Sequence, residues 1–227
     1  MAAQIKKGVC GYGSGWTPDA FTVKAFFDTI NTSLFTTTLV DDTTVFINID
    51  NTMVLKYYFG TNNSNHSIKL SINGGEDISI GDCSTWYKDK TFIVVVSDRY
   101  LDIYYYESGP KIDWFIYEKI GNDTYYGYRY EGNEYYANLS LSDVTLFSLN
   151  TGIQYKHGQR LNYTKSNPGY LDYANDCLFN TNLSSENIEC EEILACSKLL
   201  SPRIVVTFNE KNYYAVSPNS LIEIETT

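Results

Sequence analysis

Apolar and polar positions alternate with a period of two over most of this chain, beginning at Leu34. Residues 34–40, 44–49, 53–59 and 68–72 each place apolar or β-branched side chains at every second position, the pattern of a strand with one buried face. Asp41-Asp42, Asp50-Asn51, the polar stretch 61–65 and Asn73-Gly74-Gly75 separate them and supply residues that suit tight turns. The alternation resumes at 91–97, 100–107, 111–118, 124–130 and 134–139, with turns at Ser108-Gly109-Pro110, Gly121-Asn122-Asp123 and Glu131-Gly132-Asn133. Short strands at this regular spacing predict a mainly β protein, an antiparallel β-sandwich or a barrel-like body.

One short N-terminal helix precedes the strands. Thr17-Pro18-Asp19 offers a cap, a proline at the first helical position and an acid in the first turn, and Ala20, Phe21, Val23, Phe27 and Ile30 supply a mostly apolar face. Residues 1–16 read as a glycine-rich extended arm ending in Gly11-Tyr12-Gly13-Ser14-Gly15-Trp16, with Tyr12 and Trp16 as interface candidates. That glycine spacing lacks the preceding strand and the Lys-Ser/Thr of a phosphate-binding loop. Breakers at Asn150-Thr151-Gly152, His157-Gly158 and Ser166-Asn167-Pro168-Gly169 divide the remainder. They suggest a helix-plus-β domain at 17–150 and a C-terminal β subdomain at 151–227, separate from the first or continuous with it. Glu186, Glu189, Glu191 and Glu192 with Ile188, Ile193 and Leu194 predict at least one helical turn within 185–200. Strands at 203–208, 213–216 and 221–225 close the chain.

Composition narrows the function classes. The 227 residues carry a net charge of −10, and the 17 Lys and Arg are scattered, so the basic face needed to neutralise nucleic-acid phosphates or an anionic membrane is missing. The first residues lack the apolar core of a signal peptide, and no apolar run is long enough to span a bilayer, which predicts a soluble protein made in the cytoplasm. The five cysteines (Cys10, Cys83, Cys177, Cys190, Cys196) are odd in number and widely spaced, which predicts buried free thiols. The sequons at Asn31, Asn62, Asn65, Asn122, Asn138, Asn162 and Asn182 fit an Asn/Thr-rich β protein without further meaning.

No catalytic motif emerges. His66 and His157 lie in polar surroundings and read as solvated loop histidines. Asp102, Glu107, Asp113 and Glu118 are the acids a two-carboxylate glycosidase would draw on, but the alternation assigns Asp102 and Asp113 to an outward face. No enzyme activity and no cofactor are therefore expected. Asp172, Asn175 and Asp176 supply oxygens that suit calcium, without the spacing of an EF-hand. Trp86, Tyr87, Trp114, Tyr125, Tyr126 and Tyr128 are candidates for stacking on sugar rings, with cross-strand packing as the competing role.

The tail Ser201-Pro202-Arg203-Ile204-Val205-Val206-Thr207-Phe208-Asn209-Glu210-Lys211-Asn212-Tyr213-Tyr214-Ala215-Val216 resembles the closing hairpin of structural proteins of tailed phages and prophages of Gram-positive bacteria, as does the Tyr/Asn/Thr-rich composition. The resemblance implies a non-enzymatic virion component of the tail, baseplate or a head appendage, made in the host cytoplasm. Its partners would be other virion subunits or further copies of itself. A carbohydrate- or receptor-binding β module, with a host surface glycan as partner, is the alternative.

Overall fold

The structure, a computed structural model, describes residues 2–10, 20–59, 67–81, 90–106, 112–131, 144–158, 173–182, 186–196, 200–201 and 203–225. Among these residues, two antiparallel sheets and one helix, α1 (Ala20–Asp28), account for the regular structure. The smaller sheet is a meander of consecutive strands: β2 (Phe35–Asp41), β3 (Thr44–Ile49), β4 (Met53–Tyr58), β5 (Ser67–Ile72) and β6 (Ile78–Gly81). Asp50 and Asn51, both in the left-handed region at φ 47° and 55°, make the β3–β4 turn, and Asn73 with Gly74 (φ 50° and 70°) turns the chain after β5.

The larger sheet has twelve strands. It begins with β1 (Gln4–Cys10) beside β7 (Lys90–Val96) and runs through β8 (Tyr100–Tyr106), β9 (Ile112–Ile120), β10 (Asp123–Glu131), β11 (Thr145–Ser148), β12 (Gln154–Gly158), β13 (Tyr173–Asn180) and β14 (Asn187–Cys196). It then continues to β17 (Ser220–Ile224), β16 (Lys211–Ser217) and β15 (Val205–Phe208). Before β1, Ala3 donates its amide to Glu223 O at 2.7 Å and accepts the Glu225 amide at 2.8 Å, bridging to Ile224. The sheet therefore curls until its first strand meets β17, a barrel-like closure, and β16 and β15 extend from that seam.

Curling gives the strands two buried faces. Phe92, Val94, Val96, Leu101, Ile103, Phe115 and Tyr117 point outward and form one core with α1 and the small sheet. Ile93, Val95, Tyr100, Tyr104, Trp114 and Ile116 alternate with them and point inward, where they meet Leu146, Tyr155, Leu178, Cys190, Ile193, Tyr214 and Ile222. Asp50 ties the layers together by accepting hydrogen bonds from Tyr117 Oη at 3.0 Å and Lys119 Nζ at 2.7 Å. Gly8 lets α1 dock on β1, because a Cβ there would lie 2.2 Å from the Phe26 ring.

Two expectations change, and the 150–151 boundary, left open above, falls inside one sheet. Residues 4–10 are a paired strand of the large sheet rather than part of an extended arm; residues 11–16, with Tyr12 and Trp16, lie outside the described residues. The break placed at 150–151 falls between β11 and β12, which pair with each other, so 151–227 belongs to the same sheet as the strands before it. The helical turn expected within 185–200 is instead β14, where exposed Glu189 and Glu191 alternate with buried Cys190. Within α1, Phe21 is exposed, while Ala20, Val23 and Phe27 are buried as expected.

Candidate functional site

The inner face of the ring carries more than hydrocarbon. Glu118 on β9, His157 on β12, Asp176 on β13 and Cys190 on β14 are 0%, 4%, 1% and 0% exposed. The alternation of each strand brings its side chain inward. Glu118 follows Trp114 and Ile116 on one face of β9, and His157 follows Tyr155 on β12 between the more exposed Lys156 and Gly158. Asp176 sits where the β13–β14 register shifts between Asn175 and Cys177, a bulge that re-aims its carboxylate. Its Oδ1 accepts the Cys177 amide at 2.9 Å and its Oδ2 accepts the Ser220 hydroxyl at 2.9 Å.

These four groups converge. His157 Nδ1 lies 3.6 Å from Cys190 Sγ and 3.5 Å from Asp176 Oδ2. One donor atom from each of Glu118, His157 and Cys190 falls within 4.8 Å of the others. Among the described residues, His157 Nε2 has no hydrogen-bond partner, and the Glu118 carboxyl meets the Cys190 thiol, a weak donor. Burial pushes the Glu118 carboxyl up to about 7, opposed by His157 and reinforced by Asp176 and Glu192. Burial likewise holds the Cys190 thiol well above its ordinary range, with Glu118 and Asp176 adding to the effect. A protonated thiol shut away from solvent is the opposite of an activated nucleophile, so the Cys–His pair does not resemble a catalytic dyad.

A second polar group lies on the same inner face, two positions along: Tyr100 is opposite Glu118 in the β8–β9 register, and Asp102 is opposite Ile116. Asp102 accepts a hydrogen bond from Trp114 Nε1. The Arg203 guanidinium covers the Tyr104 ring at 3.8 Å and the Trp114 ring at 5.2 Å. Burial pushes the Asp102 carboxyl up to about 6 against the pull of Arg203 and the Trp114 hydrogen bond. The folded chain thus keeps a proton on Asp102 that an unfolded chain releases near its ordinary 3.8, so this residue lowers stability as pH rises from about 4 to about 6. Asp102→Asn is expected to flatten that loss. Thermal melts at pH 4 and pH 7 check it, and parallel slopes for variant and parent would remove Asp102 as the cause.

The sugar-stacking and calcium candidates fare differently. Trp114 and Tyr125 are 1% and 4% exposed, turned into the ring rather than toward a glycan. Tyr126 and Tyr128 are half-buried against the outer core, Tyr126 stacking on Phe147 at 5.6 Å, while Trp86 and Tyr87 lie outside the described residues. Asn175 and Asp176 stand on a strand instead of a calcium loop, Asn175 donating to Glu189 at 3.4 Å, and Asp172 lies outside the described residues. His157 is a buried strand residue, not a solvated loop one, and Asp102 and Glu118 are interior; His66 and Glu107 lie outside the described residues. Cys177, Cys190 and Cys196 are buried free thiols, as expected.

Sequence reasoning passed over the cluster because its members come from four strands and no local motif unites them. Part of the signal was present: Tyr155 and His157 alternate with Gln154 and Lys156 as a half-buried strand does. No protein-family model, curated protein or solved structure matches this chain. No helix among the described residues is long and apolar enough to cross a membrane.

Proposed function

We propose that this chain is a non-enzymatic structural component of a phage virion, in the tail, baseplate or a head appendage, that assembles through protein–protein contacts. The observation that carries this reading is the outer edge of the hairpin on which the sequence resemblance rests. Among the described residues β15 ends the twelve-stranded sheet, paired only to β16, and its approach leaves Ile204 39% and Val205 49% exposed. A short edge strand with apolar side chains in water is a template for strand addition by a neighbouring subunit. Opposite it, Val206 and Phe208 pack against Cys196, Tyr213, Ala215 and Leu221, so the edge is held rigidly for such pairing. The carbohydrate-binding alternative is weakened, since two of its stacking candidates are interior.

Size-exclusion chromatography with light scattering over a range of concentrations tests the reading. The parent chain is expected to self-associate, and Val205→Lys to dissociate it while leaving its circular dichroism unchanged. A chain that stays monomeric throughout and shifts on a glycan array overturns the proposal.

A further inference from the structure

Inside the ring, negative charge and its compensation do not match. Asp102 has Arg203 and the Trp114 indole. Glu118 and Asp176 share one imidazole, and the other group facing Glu118 is the Cys190 thiol, a weak donor. A buried carboxyl held by so weak a donor is costly to ionise. One shared imidazole and one thiol offset little of that cost.

The distances suggest what does. A tetrahedral ion with bonds of about 2.0–2.3 Å to nitrogen, oxygen and sulfur separates neighbouring ligand atoms by about 3.3–3.8 Å. His157 Nδ1 stands 3.6 Å from Cys190 Sγ, so one edge of such a tetrahedron is already formed. Glu118 approaches from β9 across the ring, within the 4.8 Å limit that groups it with His157 and Cys190. The Ser220 hydroxyl, donating to Asp176 Oδ2 at 2.9 Å, fixes that carboxylate 3.5 Å from His157 Nδ1.

We propose that Glu118, His157 and Cys190 form a buried three-ligand site for one zinc ion, with Asp176 beside the His157 ring. Thiolate with imidazole excludes calcium and magnesium, which take oxygen. The role of the ion is structural: it staples β9 to β12 and β14 across the ring interior. With every ligand at most 4% exposed, loading accompanies folding rather than following it. The assignment is independent of the assembly reading, since it concerns the inner face and not the β15 edge.

The test uses the full chain, unfolded and refolded in metal-free buffer with Zn²⁺ or Co²⁺ added, alongside elemental analysis of protein purified from zinc-supplemented cells. About one zinc per chain is expected, and the cobalt form should show a thiolate-to-metal charge-transfer band with four-coordinate visible bands. Cys190→Ser should abolish the charge-transfer band, and Glu118→Gln should weaken cobalt binding at least about tenfold. Cys196→Ser, whose thiol lies in a different core, should keep the band. A parent chain that refolds without taking up stoichiometric metal, or a cobalt band that survives Cys190→Ser, overturns the site. Because the parent spectrum alone can fail, a variant that does not fold leaves the test intact. Iron in place of zinc in the purified protein overturns the choice of metal.

Discussion

Trp114→Ala is expected to cost about 4 kcal/mol of folding stability, read as a lower urea midpoint with an unchanged denaturant slope. Trp114 is among the largest fully buried side chains and sits at the centre of the inner face. Its removal leaves a cavity beside Tyr104, which meets it edge-on at 6.4 Å, and strips Asp102 of its indole donor. Arg203 also loses one of the two rings it covers. Trp114→Phe, which keeps most of the volume but not the N–H, should fall between the parent and the alanine variant. A loss below about 1 kcal/mol for alanine would mean that this tryptophan is not packed inside the ring.

Gly127→Val should come next, at about 3 kcal/mol, through overpacking rather than a cavity. Gly127 on β10 pairs with Ile116 on one side and Leu146 on the other. A Cβ there would lie 2.6 Å from the Thr145 carbonyl oxygen, 2.7 Å from a Leu146 methyl and 2.8 Å from a Val144 methyl. The backbone oxygen cannot swing aside as a side chain can, so β11 would have to separate from β10. Amide hydrogen exchange should localise the damage to the β10–β11 pairing, and uniform protection in the variant would contradict it.

Much of the β architecture was legible because alternation registers wherever strands are flanked by turn residues. The strand at 44–49 falls where the pattern put it, and the strands from 53 to 131 lie within a few residues of their expected places wherever the structure describes them. The faces were harder. Alternation assigns Asp102 and Leu101 to opposite sides of β8 but cannot say that both sides are covered. With Leu101 facing the small sheet and Asp102 facing the ring, the polar position of a half-buried strand turned out to be the inner one. At β14 the error ran the other way, since four glutamates near three aliphatic residues mimic a helical spacing, while tertiary pairing with β13 and β17 imposed a strand. The cluster of Glu118, His157, Asp176 and Cys190 depended on closure of the ring, a long-range event that no local window contains.

That closure also bears on the sequence in which the molecule is built. β2 to β6 pair only with their neighbours in the chain and can form as soon as they are made, whereas Ala3 must wait for Glu223 and Glu225. During synthesis, the sheet edge near Ala3 therefore stays open until residues 223–225 have left the ribosome. Contacts of such long sequence separation are slow to form and leave strand edges exposed to other chains in the meantime. Yield of native protein should thus depend on how quickly β17 arrives, more than on the strength of any single contact within the finished ring.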